Sequence, residues 1–453
     1  MTGYEGSCKK NVMKLKTYNL STYKIIPQFQ KLRSEQVEAI DVVGSVLPFK
    51  TNNYVINELI DWEDVENDGM FKLTFPQKEM LNSNHYGLIW NTLMASSNKE
   101  VINNVADKIR IQLNPHPAGQ IDHNVPMMNG EKLTGMQHKY RQTLLFFPSQ
   151  GQTCHAYCTF CFRWPQFVGM EGHKFAGKEV NELYNYVKGN KEVTDILFTG
   201  GDPMIMKEKI FSSYIEPFLL QRPENLQTIR IGTKVLSYWP YKFITDDDAD
   251  DYLRLFERIV KSGINLSIMA HFSHIKELET EAVKVAIERL RSVGVQIRTQ
   301  SPILKNINDN AKMWAEMWRK QVNLNCIPYY MFIPRDTGAQ DYFAVTLESA
   351  WRIFREAYQN VSGICRTVRG PSMSCLAGKI QVLGISEIGN SKVFVLRMLQ
   401  GRNSDWVAKP FFAKYNPKAI WIDDLEPAFQ DKFFYEEELN ELINNSSISE
   451  KTF

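Results

Sequence analysis

Asp195-Ile196-Leu197-Phe198 runs into Thr199-Gly200-Gly201-Asp202-Pro203 and then into Glu208–Leu220, whose apolar residues recur at helical spacing. A short run bounded by glycine and proline, followed by a helix-length segment, reads as one strand–turn–helix unit. The pattern recurs on both sides. The strand candidates are Thr143–Phe147, Asp195–Phe198, Thr228–Ile231, Asn265–Met269, Val295–Thr299 and Ile327–Phe332. Helix candidates alternate with them: Lys178–Lys188, Glu208–Leu220, Asp248–Lys261, Glu277–Ser292 and Asn310–Val322, with Leu347–Tyr358 after the sixth strand. Each is long enough to cross back over a sheet, so consecutive strands are expected to be parallel with right-handed connections. The expected fold is α/β, a partial (β/α)6 TIM-type barrel with a helical N-terminal region and a C-terminal extension. Periodicity alone also allows an open doubly wound sheet.

Three regions are expected: 1–138, helical patches broken by loops; 139–370, the barrel; and 371–453, a C-terminal region. Leu113–Gln120 is too rich in breakers to be an element interior. Past the barrel, Lys392–Met398 reads as a further strand, Asp431–Asn444 as an acidic amphipathic segment, and Ser446–Phe453 as a frayed tail.

The chain has 453 residues, 43% hydrophobic and 23% charged, which excludes wholesale disorder. Its 53 basic and 51 acidic side chains give a net charge of +2, so no electrostatic footprint for nucleic acid or an acidic membrane surface is present. No apolar run approaches the roughly 18 residues of a membrane span. The N-terminal stretch lacks the apolar core of a secretion signal. A soluble, cytoplasmic protein is expected.

Seven cysteines without a secretion signal argue against a disulfide framework. Three of them, Cys154, Cys158 and Cys161, form a C-x3-C-x2-C triplet just past the first expected strand, where a βα barrel places its functional loops. Three thiolates on one loop can hold three corners of a [4Fe–4S] cluster and leave one iron open. An open iron can chelate the amino and carboxylate groups of S-adenosylmethionine, whose reduction yields a 5′-deoxyadenosyl radical. A zinc site would want four N/S ligands, often in two pairs. No second pair exists, and His155 is badly placed beside Cys154.

The other strand ends are polar too. Gly200 and Gly201 would let backbone approach a ligand, with Asp202 beside them. The later strands end at Arg230-Ile231-Gly232-Thr233-Lys234, Met269-Ala270-His271-Phe272 and Arg298-Thr299-Gln300, and the sixth leads into Pro334-Arg335-Asp336-Thr337-Gly338.

Over roughly residues 60–400 the chain resembles the lysine 2,3-aminomutase family of radical S-adenosylmethionine enzymes. The resemblance is carried by the cysteine triplet with Cys161-Phe162-Arg163, and by Gly200-Gly201-Asp202-Pro203, Arg230-Ile231-Gly232-Thr233, His271-Phe272 and Gln300. Ile307-Asn308-Asp309, Pro328-Tyr329-Tyr330 and Gly378-Lys379-Ile380 complete it. It implies pyridoxal 5′-phosphate bound to Lys379 as a Schiff base, a phosphate contact from Lys139, and a substrate carboxylate held by Arg163. It further implies adenosylmethionine near Gly200, Gly201, Asp202, His271 and Gln300. A small-molecule amino-acid substrate and a reductant such as a flavodoxin or ferredoxin follow, and a homo-oligomer is one assembly the sequence allows.

Two departures bear on the substrate. Where lysine-specific members keep two aspartates for the ammonium terminus, alignment places Arg335 and Ser372. A guanidinium there repels a cation and selects an acceptor, so the expected substrate is not free lysine but one with an anionic or hydrogen-bond-accepting end, glutamate-like. The run before the lysine is also changed, to Ser374-Cys375-Leu376-Ala377-Gly378. The expected activity is a pyridoxal-phosphate-dependent radical aminomutase (an isomerase moving an amino group between adjacent carbons). The alternatives are a radical enzyme without pyridoxal phosphate, for epimerisation, elimination or peptide modification, and a non-catalytic iron–sulfur or zinc protein.

Overall fold

The computed structural model describes residues 13–115, 124–170 and 175–448. Cys8, the end of the Leu113–Gln120 loop and the last five residues lie outside these. Two small pairings precede the main sheet: β1 (Thr17–Asn19) with β2 (Lys50–Asn52), and β3 (Met127–Met128) with β4 (Glu131–Lys132). The main sheet has eleven strands in strict chain order. They are β5 (Met136–Tyr140), β6 (Thr143–Phe146), β7 (Asp195–Phe198), β8 (Thr228–Thr233), β9 (Asn265–His271), β10 (Gln296–Pro302), β11 (Ile327–Phe332), β12 (Arg369–Ser374), β13 (Gly378–Ile388), β14 (Ser391–Gly401) and β15 (Pro410–Lys414).

Strands β6 to β12 are mutually parallel. Strand β5 at one edge and β13, β14 and β15 at the other are antiparallel. A helix crosses between each consecutive parallel pair: Val180–Gly189, Glu208–Leu220, Ala249–Lys261, Glu281–Ser292, Ala311–Asn323 and Leu347–Gln359. A doubly wound sheet reverses its strand order at a switch point. This sheet has no such reversal, so the doubly wound alternative falls and the α/β class stands.

The helices form for local reasons. Ala249–Lys261 carries Asp250 and Asp251 in its first turn and Arg258 and Lys261 in its last, as the helix dipole favours. Its Tyr252, Leu255, Phe256 and Ile259 recur on one face and are buried. Full burial of side chains this size contributes about 1.5–3 kcal/mol each. Strand β9 is buried along most of its length, as a parallel strand covered on both faces should be.

Three expectations are corrected. The segment expected as one helix over Glu277–Ser292 is broken, with a 3-10 turn at Ile275–Leu278 and a helix that starts at Glu281. Thr280 is the reason, since its Oγ1 accepts from Val283 N and caps the second helix. Past the barrel, four strands replace the single one expected at Lys392–Met398, because β12 continues the parallel set and β13–β15 fold back on it. The acidic segment is a helix over Glu436–Ile448, which takes in the start of the expected tail. Among the described residues no helix is long and apolar enough to cross a membrane.

Candidate functional site

Because β6–β11 are parallel, the segments that leave their C-terminal ends all emerge along one edge of the sheet. The loop after β6 carries Cys154, Cys158 and Cys161. The N-terminal region holds this loop in place. Tyr157 N donates to Lys50 O at 2.8 Å, and Thr159 N to Leu73 O at 3.0 Å. Asn52 Nδ2 donates to His155 O and to Tyr238 O. Lys50 Nζ donates to Cys154 O at 2.7 Å and to Thr153 Oγ1 at 3.2 Å.

All three thiols are free. Burial pushes Cys154 well above the ordinary thiol range, Cys158 to about 12 and Cys161 to about 11. Thiols this desolvated ionise only against a strong local positive charge, which a bound metal supplies. No group of three His, Cys, Asp or Glu among the described residues is drawn close enough to hold a single ion. A cubane spreads its three protein ligands over separate irons, so this donor set fits a cluster better than a lone zinc.

The Gly200-Gly201-Asp202 turn packs under that loop. A Cβ on Gly201 would lie 2.6 Å from Gln152 C and Thr153 O, and Gly200 sits at φ 146°. The backbone these glycines let approach is therefore the cysteine loop itself. Asp202 is buried and fully used: its carboxylate accepts from Thr233 Oγ1, Met204 N and Lys234 N, and its own N–H donates to Gly151 O and Thr153 O. Burial raises its pKa to about 6, against these hydrogen bonds. His271 ends β9 and packs on Phe160 of the cysteine loop at 5.5 Å. Its Nε2 is buried without a partner, an orphan that a ligand beside the loop would satisfy. Gln300 lies in register with His271 on one side and Tyr330 on the other.

Beside the cysteine loop opens a cavity of about 580 Å³. Lys139, Arg163, Arg335 and Lys379 all line it. Gly200, Gly201, Asp202, His271, Gln300 and Ser372 do not. Its lining holds six basic side chains, the four named with Arg230 and Arg402, against two carboxylates, Asp336 and Asp423. That excess marks an anion site.

Arg163 and Arg335 stack on Phe162, with guanidinium carbons 5.4 and 4.5 Å from its ring centre, and Arg163 also lies 4.2 Å over Phe147. Neither guanidinium has a hydrogen bond or ion pair among the described residues. Burial, then the charge of Arg335, lowers Arg163 to about 10. Arg230, by contrast, is committed to Asp195 through Nε at 2.8 Å and a second contact from Nη2. Ser372 is fully buried, and its Oγ faces Met331 O at 3.4 Å. The hydroxyl lining the cavity is two residues on, at Ser374.

Lys379 is the second residue of β13, its Nζ 4.0 Å from the Tyr330 ring centre and 5.3 Å from that of Phe332. Burial, then Arg230, Arg369, Lys139 and Arg335, hold its amine well below the lysine range. A neutral amine is the form that condenses with a carbonyl. Gly378 before it cannot carry a side chain, since a Cβ would meet Gln400 O at 2.1 Å. The residues present thus fit pyridoxal phosphate: an amine kept neutral, with Lys139 and Arg402 on the same cavity wall for an anion.

Lys139 donates to Cys375 O. Burial lowers its pKa to about 7, opposed by Cys375 and aided by Arg402 and Arg335. An unfolded lysine titrates near 10.4, so between about pH 7 and 10 the unfolded chain binds the extra proton and stability rises with pH. Lys139→Met is expected to reduce that slope by up to about 1.4 kcal/mol per pH unit. Urea unfolding at a series of pH values, without pyridoxal phosphate, measures it. An unchanged slope would place Lys139 in a wetter setting than this one.

Sequence reasoning missed Phe162 as the shared platform, Arg402 on β14's exit, and Trp421 and Asp423, which line the cavity from the C-terminal region. Phe162 was legible as the residue between Cys161 and Arg163. The other three had no spacing signal, because distant segments bring them in.

No family model matches the chain. It is 28% identical over 400 residues to an Aquifex aeolicus protein provisionally named L-lysine 2,3-aminomutase, covering 87% of this chain and 92% of that one. It is 27% identical to the L-lysine 2,3-aminomutase of Escherichia coli over 51% of this chain and 63% of the relative. It is 27% identical to the glutamate 2,3-aminomutase of Clostridioides difficile over 47% of each. The chain thus spans nearly all of the first relative and less than two thirds of the other two.

Proposed function

We infer that this chain, a homologue of the lysine 2,3-aminomutase family of radical S-adenosylmethionine enzymes, is an aminomutase acting on an amino acid with an anionic or hydrogen-bond-accepting far end. One observation carries the reading. Lys379, with its depressed amine, shares a cavity with Arg163 and Arg335, neither of which has an ion pair among the described residues.

In this reading Cys154, Cys158 and Cys161 hold the [4Fe–4S] cluster, and His271, Gln300 and the Gly200–Asp202 turn border the adenosylmethionine. Lys379 carries pyridoxal phosphate, with Lys139 and Arg402 toward its phosphate. Bound together, these groups supply a radical that abstracts a substrate hydrogen and an electron sink that lets nitrogen migrate to the next carbon. The chain's own residues do the rest. Arg163 holds the substrate carboxylate, a task suited to a two-pronged donor. Arg335 and Ser374 receive the far end, and Phe147 and Phe162 keep both guanidinium planes oriented. The strictly sequential parallel strands fit a partial (β/α)6 barrel whose mouth is the cavity. A low-potential flavodoxin or ferredoxin is the proposed electron source.

Borohydride treatment of protein purified with pyridoxal phosphate is expected to fix a phosphopyridoxyl mass increment on the peptide containing Lys379. Lys379→Ala should lose that label and keep its iron and visible cluster spectrum. Wild-type protein that stays unlabelled would move the assignment to radical chemistry without pyridoxal phosphate.

A further inference from the structure

Lys50 is a half-buried cation with no carboxylate partner among the described residues. Its Nζ reaches Cys154 O at 2.7 Å and Thr153 Oγ1 at 3.2 Å, and lies 5.5 Å from the Tyr157 ring centre. No ion pair or further hydrogen bond engages it among the described residues. Fixing a partly desolvated ammonium against a loop without a counter-ion carries a cost, and a structure that does so normally keeps a counter-ion close. Two neutral oxygens could be served by a glutamine or a serine without that cost.

The lysine is also fixed in place. It opens β2, whose Lys50 O accepts from Tyr157 N and whose Asn52 side chain bridges His155 O and Tyr238 O. One short strand of the N-terminal region therefore grips the cysteine loop by its backbone and sets one positive charge against it.

We propose that Lys50 is the counter-charge of the cluster held by Cys154, Cys158 and Cys161, and that it raises the cluster's reduction potential. This rests on the cluster assignment above. A cubane with three thiolate ligands is anionic. Reduction adds one electron from a low-potential one-electron donor, with no bond made or broken, and increases that negative charge. A fixed cation nearby favours the reduced form. Lys50 acts through the electrostatics of the loop, as a positioning and tuning residue.

The test is a mediated redox titration of the anaerobically reconstituted full chain, read by the electron paramagnetic resonance of the reduced cluster. Lys50→Met is expected to make reduction roughly tenfold harder, a midpoint lower by about 59 mV. Lys50→Arg should stay near wild type. The midpoint is read on whatever fraction is loaded, so partial iron content does not obscure it. An unchanged midpoint in Lys50→Met and Lys50→Gln overturns the proposal. Loss of cluster in both neutral variants but not in Lys50→Arg supports it, whereas loss in all three assigns the lysine to bracing the loop and overturns it. Wild-type protein that binds no cluster removes the reading beneath it, a result distinct from a cluster whose midpoint ignores Lys50.

Discussion

Replacing any one of Cys154, Cys158 or Cys161 with alanine is expected to reduce cleavage of S-adenosylmethionine to background. Three ligands from one loop are the least that can hold a cubane with one open iron, so no single loss is compensated. Removing mere hydrogen-bond partners of metal ligands already costs about 10–100-fold, and loss of a ligand should exceed that. Cys326 and Cys365, both buried away from the loop, provide the internal comparison. Their serine variants should still cleave, with some loss of stability from burying a hydroxyl in an apolar setting. Counting 5′-deoxyadenosine under dithionite measures both sets. A triplet variant that cleaves at the wild-type rate would mean that the cluster is held elsewhere.

Arg335→Asp should weaken turnover of an anionic substrate by about 2–5 kcal/mol in transition-state binding, roughly 30-fold to several-thousand-fold in kcat/KM. The guanidinium lines the cavity without an ion pair among the described residues, although the charge of Asp336 acts on it, so a substrate anion is its proposed partner. Reversing its sign both removes that partner and places a carboxylate beside Asp336. Arg335→Gln should lose less, because it keeps a donor without the repulsion. If Arg335→Asp left glutamate turnover intact, the far end of the substrate would have to lie elsewhere in the cavity. A gain of lysine turnover in the same variant would be the strongest support for its role in choosing between end groups.

The parallel part of the fold was legible because each unit states itself locally: a short β-branched or aromatic run, glycine or proline, then a helical period. The antiparallel extension was less so. Its β13–β14 hairpin carries a readable two-residue turn, Gly389-Asn390, with Gly389 at φ 60°. The flanking Ser386-Glu387 and Ser391-Lys392 are too polar to suggest strands, because that end of the hairpin faces solvent. Thr280 stood inside an otherwise continuous helical pattern, and only its capping bond reveals the break.

At the site, spacing along one loop was sufficient for the cysteines and for Arg163. Lys139, Lys379 and Arg335 reached the same cavity as expected from the resemblance, and Ser372 did not. Its place follows from counting back from Lys379; Ser372 and Ser374 share one face of β12, and Ser372 is buried inside the strand while Ser374, at its end, reaches the lining. Arg402 and Asp423 could not be read at all, since only the folding back of β13 to β15 and the segment after them carries these residues to the cavity. The glycines after β7 read in sequence as a ligand approach, and the structure adds a contact that spacing could not show. The packing of the cysteine loop also requires them, a contact between segments some fifty residues apart in the chain.

In the proposed function the cluster loop and the cationic cavity together move an amino group between adjacent carbons. The most direct measurement is single-pot turnover: the anaerobically reconstituted chain with S-adenosylmethionine, pyridoxal phosphate and dithionite, offered L-glutamate and L-lysine separately. The predicted result is 5′-deoxyadenosine together with a mass-neutral amino-acid isomer from glutamate or a similarly acidic amino acid, and no isomer from lysine. Robust conversion of lysine to its β-isomer, with no turnover of any acidic amino acid, would contradict it.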